Sequence, residues 1–189
     1  MTIQINYKNK GFRNPLTNMV LFVDETFKIN SLKGHVTKGE FSYISELLKK
    51  SDLKKDLLFF EINSKKTIFL VSLKKNLKTS DVEGLGAKFH GYINYDHEND
   101  YYVNSDTINS KINNFLGYFL HGLRLRSYEF NIYKSKKKKK IINVNIIGNK
   151  NQISSKDKIK FKALEEGNFY TRDLVSEPGN VLHPDEYAK

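Results

Sequence analysis

The sequence predicts an α/β fold: a mixed sheet flanked by helices and followed by a helical connecting arm. Three observations predict it. Short, β-rich apolar runs recur along the chain, segments with helical apolar spacing stand between them, and from Ser154 this alternation gives way to one long helical stretch. The bulk properties allow such a fold. A chain of 189 residues, 39% hydrophobic and 28% charged, can bury a sizeable core, which excludes a disordered chain and favours one main domain with an appendage.

Taken in order, residues Thr2 to Tyr7 alternate polar and apolar as a short strand, and a polar loop with Gly11 and Pro15 follows. Asn18 to Asp24 (NMVLFVD) is more continuously apolar, which suits a strand covered on both faces. Between Gly39 and Ser51, the residues Phe41, Ile44, Leu47 and Leu48 share one helical face, with Lys49 and Lys50 turned outward. Leu57 to Ile62 and Thr67 to Leu73 are β-rich runs separated by a connection short enough for a hairpin, so two central antiparallel strands are expected.

Ser80 to Ile93 has Ser80 and Asp81 as capping candidates and an apolar stripe of Val82, Leu85 and Phe89. Its glycines, Gly84, Gly86 and Gly91, do not form a phosphate-cradling pattern after a strand, and are read as residues that let a helix pack closely. Asp96 to Asp100 (DHEND) is rich in metal-ligand chemistry, but adjacent residues on a turn point apart and the EF-hand pattern is missing. It is read as a solvated turn before a short strand at Tyr101 to Val103. Thr107 to Arg124 is the clearest helix, with Ile108, Ile112, Phe115, Leu116, Phe119, Leu120 and Leu123 in one stripe. Ile141 to Ile147 (IINVNII) is a further strand.

The arm from Ser154 carries Ile159, Ala163, Phe169, Leu174 and Val175 as its apolar members. Pro178 stops it, because proline biases the preceding Glu177 away from helical geometry. Pro184, Asp185 and Glu186 then start a new helix that has only one turn before Lys189, too short to be stable alone, so the sequence reads as truncated. The expected organisation is a domain over 1–150 and a linker with the start of a second domain over 151–189.

The net charge of +11 raises a nucleic-acid reading. Against it, Arg13, Arg124, Arg126 and Arg172 are the only arginines, so nearly all the charge is lysine, which lacks the planar fork that grips phosphates and base edges. The densest run is Lys136, Lys137, Lys138, Lys139 and Lys140, where mutual repulsion predicts an exposed loop. These five are the candidate contacts to an anion or nucleic acid such as DNA, set against the plainer reading of a charged loop that discourages pairing of a neighbouring strand edge. His121 lies beside the apolar stripe without a partner at nucleophile or ligand spacing, and is read as a packed or surface residue. No catalytic residue and no metal ligand is assigned in this chain. There is no cysteine, no signal-peptide core and no apolar stretch of about 18 residues, so a soluble cytoplasmic protein without membrane contact is expected.

Two segments carry a family resemblance. Tyr170 to Lys189 (YTRDLVSEPGNVLHPDEYAK) resembles the R-D-L-x-N-E-P-x-N-x-x-x-P-x-x-x-A stretch of leucyl aminopeptidases, through Arg172, Asp173, Leu174, Glu177, Pro178, Asn180, Pro184 and Ala188. Ser176 stands where the family more often has asparagine. Gly122 to Lys140 is similar to the family's G-x-x-L-x-S-Y-x-F-x-x-Y-K-x-K-K stretch. The resemblance implies a macro-domain-like amino-terminal domain joined by a helical arm to a catalytic domain that is absent here. In the family that second domain binds two divalent metal ions (zinc, manganese or magnesium) and releases amino-terminal residues from peptides. The family is a homo-hexamer, and the partners implied are the catalytic domain, sister subunits and, for the full-length enzyme, peptide substrates. Alone, this chain is expected to be inactive. A basic nucleic-acid-binding module and an ADP-ribose or nucleotide binder, the latter by fold analogy alone, are the alternative functions.

Overall fold

Among the described residues the chain forms six strands and four α-helices. The structure is a computed structural model that describes residues 2–7, 18–93, 100–134, 141–179 and 181. The strands are β1 (Thr2–Tyr7), β2 (Asn18–Asp24), β3 (Leu57–Asn63), β4 (Lys66–Leu73), β5 (Asp100–Asn104) and β6 (Ile141–Ile147). The helices are α1 (Lys38–Leu48), α2 (Thr79–His90), α3 (Phe115–Arg126) and α4 (Ser155–Ser176).

The strands form one mixed sheet in the order β1-β6-β5-β2-β4-β3. Five are parallel and β3 alone runs antiparallel, against β4. The 57–73 hairpin therefore exists, but it closes one edge of the sheet instead of occupying its centre. The reason is visible in β3 itself. Leu57, Leu58 and Phe60 are buried while Phe59 and Glu61 are exposed, and a strand with solvent on part of one face belongs at an edge. β2, by contrast, is buried from Asn18 to Val23, as a central strand covered on both faces must be.

Successive strand residues point to opposite faces, so two cores form. On one face Val20, Phe22, Val71, Tyr101, Val103 and Val144 pack under α2 and α3. On the other Met19, Leu21, Leu58, Ile68 and Leu70 pack under α1 and the 3-10 turn Asn30–Gly34. The rings at the heart of the first core meet edge to face: Phe22 with Phe119 at 5.3 Å and Phe69 with Phe89 at 5.4 Å. α1 starts at a capping box in which Thr37 Oγ1 accepts from Glu40 N and Glu40 Oε2 accepts from Thr37 N. A box of this kind contributes about 1 kcal/mol.

α2 and α3 cross at glycine. A Cβ on Gly86 would collide with the Phe119 carbonyl, and one on Gly122 with the Glu83 carbonyl. Close packing thus explains Gly86, whereas Gly84 meets nothing and Gly91 only its own helix end. At α2 the N-cap is Lys78, two residues before Ser80, and Asp81 Oδ2 accepts from its N–H at 2.7 Å.

The helix expected over 107–124 begins only at Phe115. The preceding side chains hold the backbone in another arrangement. Thr107 Oγ1 donates to Asn104 O and accepts from Phe22 N, Ser110 Oγ accepts from Ile112 N, and Asn114 is left-handed with φ 58°. Local bonds of this type compete with helix formation, and they are why Ile108 is buried without being helical.

α4 is the long helix expected from Ser154, with its buried face rotated. Phe161 and Glu165 point inward, while Ile159 and Val175 are 71% and 82% exposed. Ala163 is exposed too, so three of the five apolar members named from the sequence face solvent, and Phe169 and Leu174 are half-buried. No helix among the described residues is long and apolar enough to cross a membrane. The loop with Gly11 and Pro15, most of the 96–100 turn and the helix start at Pro184 lie outside the described residues; Asp100 opens β5.

Candidate functional site

The polar chemistry of the molecule concentrates where α4 meets the sheet domain. α3 brings His121 and Arg124 to this junction because both follow Gly117 and Leu120 along the flank of its buried stripe. α4 brings Phe161 and Glu165, one turn apart and so on one face. β1, the edge strand, supplies the backbone of Ile3 and the ring of Tyr7.

Glu165 is the hub. Its side chain is 11% exposed, Arg124 Nε donates to Oε2 at 3.2 Å, and His121 Nδ1 lies 3.7 Å from Oε1. Arg124 also donates to the Ile3 carbonyl, which ties the helix to the sheet edge. The His121 ring packs, tilted, on Phe161 at 5.3 Å, and its Nδ1 is buried without a hydrogen-bond partner. Burial, aided by the charge of Glu165, pushes the Tyr7 hydroxyl upward from its ordinary value. A buried carboxylate of this kind is tolerable only because a guanidinium is bonded to it.

A second set of contacts fastens the far end of α4. Arg172 Nη1 donates to Leu125 O at 2.6 Å and the guanidinium lies 5.5 Å from the Tyr128 ring. Tyr128 Oη donates to Asp173 Oδ1 at 2.7 Å, and Tyr133 Oη donates to Glu177 Oε2. Tyr128 also packs on Phe169, with centroids 5.4 Å apart. Apart from Phe169, these residues come from the two resemblance-bearing segments, Gly122 to Lys140 and Tyr170 to Lys189. The described parts of those segments, 122–134 and 170–179, bond to each other here.

The junction can hold and orient: Arg124 and Glu165 are bonded to each other, while His121 Nδ1 beside them has no hydrogen bond. Among the described residues there is no group of three or more His, Asp or Glu side chains that could hold a metal ion. The described residues do not fit a two-metal centre.

The carboxyl ends of the parallel strands, where open α/β sheets bind ligands, carry a closed polar network. Asp106 Oδ1 accepts from Asn149 N and Lys150 N, both at 2.7 Å. Asn104 Nδ2 lies 3.0 Å from His35 Nδ1, and Asn151 Nδ2 donates to Ser105 O and Ile108 O. Gly148 has φ +108°, and a Cβ there would crowd Ser105 and Asp106. The paired N–H groups that could cradle an anion are thus filled by the protein's own carboxylate.

Lys136, Lys137, Lys138, Lys139 and Lys140 lie outside the described residues. His121 is 5% exposed and packed, as the sequence reading has it. Two of the three described arginines, Arg124 and Arg172, bond to backbone carbonyls within the fold. Glu165 was not singled out by sequence reasoning. The available signal was its spacing of four from Phe161, which outlines a face that the more numerous apolar residues of α4 obscure.

No family model matches the chain. It is 28% identical over 185 residues to the probable cytosol aminopeptidase of Nitrobacter winogradskyi, covering 90% of this chain and 37% of that protein. It is 36% identical over 78 residues to the probable cytosol aminopeptidase of Methylobacterium radiotolerans, covering 39% of this chain and 16% of that protein. Among solved structures, a tomato leucine aminopeptidase mutant superposes with a TM-score of 0.69 at 17% identity, over 99% of this chain and 41% of that one. The cytosol aminopeptidase of Coxiella burnetii superposes with a TM-score of 0.61 at 11% identity, over 96% of this chain and 35% of that one. The fold is that of the leucine aminopeptidase amino-terminal region. The chain matches 37% of the length of the Nitrobacter relative and 16% of that of the Methylobacterium one.

Proposed function

We propose that this chain is the amino-terminal, non-catalytic domain of a leucyl aminopeptidase, with the sheet domain over 1–150 and the connecting arm over 151–189. The observation that carries the reading is the arm junction. Arg172, Asp173 and Glu177 of one resemblance-bearing segment bond to Leu125, Tyr128 and Tyr133 of the other. Residues with that job hold a following domain at a defined angle to the sheet; they do not bind substrate.

In this reading the whole protein is a cytoplasmic exopeptidase that removes amino-terminal residues from peptides. Two divalent ions held by the catalytic domain would supply the activated water and polarise the scissile carbonyl. A bottromycin maturation enzyme with the same fold has been solved in complex with Mn. The role of the present domain is to support the assembly of subunits and to set the position of the catalytic domain.

The test is an assay of the purified chain on leucyl anilide with manganese or zinc added. The expected outcome is no release of leucine above the metal-only blank. Fusing the chain to the carboxy-terminal part of the Nitrobacter relative is expected to give a metal-dependent peptidase. Metal-dependent hydrolysis by the chain alone would overturn the assignment.

A further inference from the structure

Between the edge strand β1, the flank of α3 and the inner face of α4 lies a cleft of about 390 Å³. That volume is in the range of small-molecule sites. Its floor is apolar: Ile3, Ile5, Leu120, Ile141, Ile153 and Phe161. Its charged lining is unbalanced. Arg124, Lys158 and Lys162 stand against Glu165 alone, and Glu165 is already bonded to Arg124. Lys162 has a counter-ion at 3.7 Å in Glu166. Lys158 has none among the described residues. Its Nζ rests 3.6 Å from the centroid of the Tyr7 ring, inside the cleft. A cation held on an aromatic face above an apolar floor is matched by a molecule with one anionic end and a hydrocarbon body. His121, whose side chain is 6% exposed, adds an unpartnered ring nitrogen to the same wall.

We propose that this cleft is a binding site for a small amphiphilic monocarboxylate, its carboxylate on Lys158 and its hydrocarbon body on the isoleucine floor. Such a ligand touches the domain through Ile3, Ile5 and Ile141 and the arm through Lys158 and Phe161. It binds only when α4 is docked. By linkage, its occupancy holds the arm against the sheet and so acts as an effector of arm position. The inference stands on the cleft alone and does not require the aminopeptidase reading.

Sodium octanoate is the probe, and isoleucine-methyl NMR on the intact chain is the measurement. The expected result is saturable shifts of the Ile3, Ile5, Ile141 and Ile153 methyls, with Ile44 and Ile68 in the opposite core unmoved. Amide exchange across α4 slows in parallel. Lys158→Glu, a change at a partly exposed side chain, weakens octanoate by about tenfold or more. Octylammonium, with the same body and the opposite charge, leaves the four methyls in place. The proposal is overturned if octanoate moves none of them at tens of times the protein concentration and beyond, if octylammonium moves them equally, or if Lys158→Glu binds as well as the parent.

Discussion

At the scale of single residues, the least replaceable positions are those where a side chain has no room or a charge has no substitute. Gly122 is the first kind, since any Cβ there strikes the backbone of α2 at Glu83. Backbone cannot rotate out of the way as a side chain can. Gly122→Ala is therefore expected to destabilise the fold by about 3 kcal/mol, the upper end of overpacking costs, read as a lowered urea midpoint with an unchanged slope. Gly84→Ala, next to Glu83 on α2 but in open space, is the control and is expected to be neutral or slightly stabilising. Asp56 is the second kind. Hydrogen bonds from Lys74 and then Lys88 hold its carboxyl below the ordinary value, so its contribution is present above the unfolded-state pKa and is lost as pH falls through the lowered folded value. Acid unfolding of Asp56→Asn should lack that component, and its stability between pH 5 and pH 3 should fall less steeply than the parent's. A parallel slope in the two proteins would show that Asp56 does not contribute.

At the scale of elements, the arm helix poses the sharper question, because α4 is docked by a few polar contacts and one buried ring. The Tyr128 to Asp173 hydrogen bond joins the segment after α3 to the last turns of α4. Tyr128→Phe and Asp173→Asn are each expected to cost about 1 kcal/mol, the usual worth of such a bond, and the double variant less than their sum. Amide exchange should rise across α4 and leave β2 unchanged in these variants; additive costs would mean that the two side chains act independently. The elements themselves were mostly legible in the sequence. Strands β2, β4 and β6 announced themselves as β-branched runs, and α1 and α2 as apolar residues at helical spacing. What was not legible has a common cause. The late start of α3 depends on Thr107 bonding to Phe22, 85 positions away, and the edge position of β3 depends on which strand lies beside β4. The buried face of α4 is fixed by Phe161 packing on α3 and by Arg124 bonding Glu165, so Glu165 goes inward while Ile159 remains in solvent. Tertiary partners decide such matters, and periodicity carries no trace of them.

At the scale of the whole molecule, the sheet order and the closed strand ends decide between using this fold as a scaffold and using it as a nucleotide site. The chain leaves β2 toward β4 on one side and leaves β5 toward β6 on the other, so the crevice at the carboxyl ends of β2 and β5 is where a doubly wound sheet would take a ligand. Here the turn Ser105–Thr107 lies over that crevice, with Thr107 bonded to the backbone of β2. The neighbouring N–H pair at Asn149 and Lys150 is filled by Asp106. A phosphate approaching this pair would have to displace a carboxylate that is covalently part of the fold and already correctly placed, so its effective concentration is far above that of free ligand. ADP-ribose is therefore expected to give no thermal stabilisation of the chain. A ligand present at a hundred times its dissociation constant would add about 2.7 kcal/mol, which for a domain of this size moves Tm by roughly 5–10 °C, so a flat response is informative. A rise in Tm that grows with the logarithm of ADP-ribose concentration, and that increases further in Asp106→Ala, would restore the crevice as a binding site and remove the scaffold reading of the sheet's carboxyl end.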